Sequence, residues 1–131
     1  MNAVVIVIGS VLAMIAVVAT VIVLMRRYER QRTEAMHELA DGLGLEFIPE
    51  EVPELMESIG HLHLFNMGHS RTMKNVIVGN ADDIDLAIFG YRYTVGGGQQ
   101  QQTHKQTVIS FRSDHLDLPA FELRPESVLH K

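Results

Sequence analysis

At 131 residues, with a formal net charge of −5 and no cysteine, the chain has room for one small domain, no disulfide to brace it and no thiolate chemistry. The charge is unevenly spread: Arg26, Arg27, Arg30 and Arg32 stand with Glu29 beside a hydrophobic run, and from Thr33 onward seven basic residues meet fifteen acidic ones, a net −8. So acidic a domain is repelled by phosphate backbones, which argues against nucleic acid as a partner.

From Ala3 to Met25 the chain carries no charge, and Gly9, Ser10 and Thr20 are its only non-hydrophobic members. A helix over these 23 residues spans roughly 34 Å, enough to cross a hydrocarbon core of about 30 Å. A cleaved signal peptide would have a positive n-region and a shorter apolar stretch; here Met1-Asn2 is uncharged and Arg26-Arg27 closes the run as a stop-transfer signal does. The arginines all lie on the C-terminal flank. The positive-inside rule therefore predicts a single-pass protein of the cell's inner (plasma) membrane, N-terminus outside and C-terminal domain cytoplasmic. Within the span, Gly9, Ala13, Ala16 and Thr20 fall at spacings of 4, 3 and 4, a stripe of small side chains along which two helices can approach closely. The partners this predicts are the lipid bilayer and, through the stripe, a second copy or another membrane helix.

After the span, RRYERQRTEAMHELADGLG continues as an amphipathic juxtamembrane helix over 26–44, with Met36, Leu39 and Leu43 on one side and Gly42 or Gly44 as its end. Arg30 and Glu34 form an i, i+4 pair, and Tyr28 among Arg26, Arg27, Arg30 and Arg32 suits a headgroup anchor. A domain over 45–131 follows. Leu45–Ile48 predicts a strand stopped by Pro49, and PELMESI from Pro53 a short helix stopped by Gly60. HLHLFN alternates polar and apolar residues, which predicts a strand with Leu62 and Leu64 inward, and Met67–Lys74 reads as a polar loop. Val76–Val78, a turn over Gly79–Asp83 and a strand over Ile84–Tyr93 give the strongest β signal. Both faces of that second strand are partly apolar, which places it centrally. TVGGGQQQQTHK predicts a flexible tip of 12 residues before a strand over Gln106–Ser113. A last strand at Ala120–Leu123 and the first turns of a helix at Pro125–Leu129 complete the reading. The expected class is α+β: a transmembrane helix over 1–25, then a small, mostly antiparallel sheet with a juxtamembrane helix and one short helix.

YRYT (Tyr91–Thr94), THKQT (Thr103–Thr107), the early GLGLEF (Gly42–Phe47) and above all LPAFELRPES (Leu118–Ser127) together resemble a family of bacterial single-pass membrane proteins carrying a domain of unknown function. The resemblance covers most of the chain. It implies the anchored architecture and a domain that continues past Lys131, so that this chain looks truncated; it implies no activity and no catalytic residue.

Chemistry is sparse. His61 and His63, two apart on the expected strand, could chelate one ion with His69 from the loop, the basis of an alternative reading as a small metal-dependent enzyme or metal sensor. An edge strand with a histidine-bearing solvent face explains the same pattern. Asp82, Asp83 and Asp85 lack the spacing of a calcium loop and suit a tight turn. Ser110 and Ser113 stand in no nucleophile elbow, and Gly96-Gly97-Gly98 opens no helix that could cradle a phosphate. Arg124 suits an ion pair with Glu122 or Asp117, and Gln99–Gln102 a solvated or partner-binding tip. The residues predict no cofactor and no catalysis. They favour a membrane-tethered interaction or scaffold module, with a degenerate family member as a further alternative.

Overall fold

A computed structural model describes residues 2–117; the expected strand at Ala120–Leu123, the helix at Pro125–Leu129, Arg124 and the LPAFELRPES string lie outside them. The first 48 residues contain no proline, and one unbroken helix, α1, runs from Asn2 to Leu43. It ends where Gly44 adopts φ 69°. Gly44 N–H donates to the Asp41 carbonyl (3.2 Å) and Leu45 N–H to that of Ala40 (2.9 Å), the paired bonds of a Schellman stop that only a residue at ease in the left-handed region closes without strain. The rest is β1 (Glu46–Ile48), α2 (Pro53–Ile59), α3 (His63–Asn66), β2 (His69–Ala81), β3 (Ile84–Val95), a single 3-10 turn (Gly98–Gln100) and β4 (Gln102–Arg112). The strands form one antiparallel sheet in the order β1-β2-β3-β4. The fold is α+β, and β3 is an interior strand as its two apolar faces predict.

The two faces of this sheet are covered differently. On the core face, Met73, Val76, Ala87, Phe89, Tyr91 and Tyr93 are buried with Ile59 of α2 and Phe65 of α3. Phe65 meets Tyr91 edge-on with centroids 4.9 Å apart. On the helix face, Ile77 and Ala40 of α1 are both fully buried, the His37 and Phe47 rings meet tilted with centroids 5.1 Å apart, and the Thr33 hydroxyl donates to Asn75 Oδ1 (3.1 Å).

Four expectations change. HLHLFN is a turn and then helix α3, because the Asn66 amide donates to the carbonyls of Gly60 (2.8 Å) and Leu62 (3.2 Å) and Phe65, not Leu62, enters the core. Six residues of alternation are too few to outweigh these local side-chain-to-backbone bonds and one aromatic anchor. Second, most of the polar segment Met67–Lys74 is the first half of β2: pairing with β3 from His69↔Thr94 to Lys74↔Gly90 and burial of Met73 impose a strand on low-propensity residues. Third, the turn expected at Gly79–Asp83 narrows to Asp82-Asp83, both left-handed (φ 50° and 63°), between the paired Ala81 and Ile84; such a two-residue turn matches the strand twist. Fourth, the 12-residue tip shrinks to residues 96–101, since Thr94 and Thr103 hydroxyls bond (3.2 Å) and Tyr93 stacks on His104 at 5.1 Å, extending both strands by cross-strand pairs.

Candidate functional site

Arg32 reaches Thr107 on β4, with Nη2 donating to Oγ1 at 3.5 Å, and further along the helix Ala40 is tied to Leu45 at the β1 end of the sheet. Because the helix passes from β4 towards β1 as it leaves its apolar run, it leaves two parts of the helix face open. Far from the span, Ile84, Ile109 and Phe111 are 39, 57 and 66 % exposed; register joins Leu86 to Phe111 and Ile88 to Ile109, so these form one apolar surface. Near the span lies a crevice of about 350 Å³ whose walls include Tyr28, Glu29 and Arg32 of α1, Lys74 of β2, Gly90 and Arg92 of β3, and Lys105 of β4.

The crevice owes its space to Gly90. A Cβ there would lie 3.1 Å from Arg32 Nη2 and 3.3 Å from the Lys74 carbonyl oxygen, so any larger residue in this interior strand would displace the guanidinium. Four cations line it against one carboxylate, Glu29. Among the described residues the ion pairs are Arg30–Glu34 (3.0 Å) and His37–Asp41 (3.9 Å), and neither involves these four cations. The surrounding chain explains why: residues 67–81 and 86–113 contain no Asp or Glu, whereas Asp82, Asp83 and Asp85 gather at the opposite end of the sheet. The domain is acidic in sum and polarised in space.

The histidine site is not assembled. His61 lies in the turn after α2, His63 opens α3, and both ring nitrogens of His69 are engaged locally, Nδ1 with Ser70 Oγ (3.1 Å) and Nε2 with the Gly96 carbonyl (3.0 Å). Among the described residues no three His, Cys, Asp or Glu side chains converge to hold an ion. Ser110 lies along β4, and Gln99–Gln101 form half of the tip while Gln102 opens β4. The small-residue stripe can now be phased against the domain, since one unbroken helix carries both. At about 100° per residue, the mean direction of Gly9, Ala13, Ala16 and Thr20 lies roughly 160° around the axis from that of the sheet-facing Thr33, Met36 and Ala40. The stripe is therefore on the far side of α1 from the sheet.

The Tyr91 hydroxyl is buried without a hydrogen-bond partner. Burial raises its pKa above the ordinary tyrosine value, with the positive charge of Arg71 opposing. The guanidinium itself donates to the Phe65 carbonyl.

Sequence reading did not single out Lys74, Gly90, Arg92 or Lys105. Two signals in the sequence point to them: a glycine inside the strongest strand, and long segments free of acid in an otherwise acidic domain. Compared with family models, with curated proteins and with solved structures, the chain matches none.

Proposed function

We propose that this protein is a membrane-tethered interaction or scaffold module, acting by binding and not by catalysis. α1 is long and apolar enough to cross a membrane; in this reading it crosses the bacterial inner membrane once, with Arg26, Arg27, Arg30 and Arg32 holding the sheet domain in the cytoplasm. The resemblance to bacterial membrane-anchored proteins supports the same architecture. The observation that carries the reading is the continuity of α1 from the span into the sheet-packed segment. In this reading a continuous helix sets the height and rotation of the domain relative to the bilayer, as a scaffold requires and a flexible linker would not. Because the stripe lies opposite the sheet, two copies can pair through Gly9, Ala13, Ala16 and Thr20 with both domains outward and their open faces free.

The absence of cysteine gives a clean test. In native membranes under oxidant, Ala13→Cys chains cross-link into disulfide dimers and Val11→Cys chains, on the opposite side of the helix, do not. A cytoplasm-only reporter fused after Lys131 is active. Equal cross-linking at both positions removes the stripe from the proposal, and activity from a periplasm-only reporter in place of the cytoplasmic one reverses the orientation.

A further inference from the structure

We propose that the crevice between α1 and the β2–β3–β4 end of the sheet seats the phosphate of an anionic phospholipid. Tyr28 stands three residues beyond Met25, at the end of the apolar run. At about 1.5 Å per residue this places it roughly 4–5 Å beyond the hydrocarbon, in the headgroup layer, with Arg32 one turn further out. The crevice opens at that level, with Tyr28 and Glu29 on its wall. An interfacial tyrosine beside a cationic cavity suits the glycerol and phosphate of a lipid: the ring lies against the acyl boundary, and the cations face the charge.

Charge complementarity selects the occupant. Arg32, Lys74, Arg92 and Lys105 converge from all three sheet-side strands and the helix, opposed by Glu29 alone. A protein partner would have to bring a carboxylate or phosphate down to the membrane surface, where anionic headgroups already stand at high local concentration. The acidic far end of the domain, with Asp82, Asp83 and Asp85, is repelled by the same surface, so the charge polarity holds the basic end of the sheet towards the bilayer. Gly90 completes the site, because the volume a side chain would fill is the volume beside the Arg32 guanidinium. The inference rests on the membrane-tethered reading but not on self-association or on which leaflet holds the flank.

The test uses the full chain in detergent micelles, with native mass spectrometry of bound dioleoyl phosphatidylglycerol, dioleoyl phosphatidylcholine and inorganic phosphate. One phosphatidylglycerol is retained per chain in clear preference to phosphatidylcholine. Arg32→Gln/Lys105→Gln lowers that retention about thirtyfold, two surface cations' worth, whereas Arg26→Gln/Arg27→Gln, outside the crevice, keeps it within about threefold. Gly90→Ala, which leaves every charge in place, lowers it several-fold and decides the matter if the double variant fails to fold. Equal retention of the two lipids, equal losses in the two arginine variants, or an unaffected Gly90→Ala overturns the site. Displacement of the lipid by millimolar phosphate overturns the lipid as its source. None of these outcomes bears on the topology reporter, so failure of the site and failure of the tether are separable.

Discussion

The two faces of the sheet are built from the same four strands and do opposite work. On the core face, α2 and α3 close over an aromatic row in which Phe89 and Tyr91 are 0 and 1 % exposed. On the helix face, a single helix crosses on the diagonal, sealing Ile77 and Ala40 and leaving a basic crevice at one end and an apolar surface at the other. A closed face concentrates the burial that holds the domain together, at about 1.5–3 kcal/mol for each large apolar side chain. A face half covered by one helix commits less of its surface to stability and leaves the remainder open. The difference teaches that the long apolar helix is also a structural element of the domain: the turns just after its apolar run make one wall of the open crevice.

The comparison can be broken most severely at Phe89. Phe89→Ala in the full chain in micelles should cost about 3–5 kcal/mol in denaturant unfolding, the cost of truncating an aromatic where neighbours collapse only partly. A loss under about 1 kcal/mol would mean that the core face is not where stability resides. Tyr91 sharpens the same point with a sign that depends on pH. Its raised pKa means the fold prefers the neutral hydroxyl, so this contribution is fully present below the ordinary tyrosine value of about 10 and is lost as pH climbs through the higher folded value. Tyr91→Phe removes the alkaline loss, and at neutral pH it should be neutral or stabilising by about 1 kcal/mol, since an unpaired buried hydroxyl no longer has to be desolvated. Equal alkaline melting of the two proteins would contradict it. The smallest effect belongs to the open face: Phe111→Ser, at 66 % exposure, should change stability by no more than about 0.5 kcal/mol while reducing association of the purified chain in light scattering. A multi-kcal/mol loss would show the apolar surface to be core.

Much of this architecture is legible in the residues themselves. The long apolar helix, its stop at Gly44, the Pro53–Ile59 helix and the strand over Ile84–Tyr93 follow from apolar runs, punctuating Gly and Pro, and period, all of which are local. What escaped is non-local. Residues 69–75 carry His, Ser, Arg, Thr, Lys and Asn and become a strand because β3 supplies their hydrogen bonds; His61–Asn66 alternates like a strand, yet His63–Asn66 is helical because the Asn66 amide bonds back to the preceding turn and Phe65 enters the core. The crevice was hidden for the same reason. Arg32, Lys74, Gly90, Arg92 and Lys105 are scattered over 74 positions of the chain, and only the antiparallel register with α1 laid across it brings them together.

In the proposed reading the continuous helix holds the basic end of the sheet against the bilayer. Spin labels on single cysteines at Lys105 and Ala81, eight residues apart along the ladder and so separated by about 26 Å, can be compared in vesicles containing a nickel-chelating lipid, which relaxes only nitroxides near the headgroups. Strong relaxation at position 105 and little at 81 is the predicted result. Equal relaxation at the two positions, or the reverse order, would mean that the domain does not stand on the membrane as α1 orients it, and the crevice would lose its claim to a lipid.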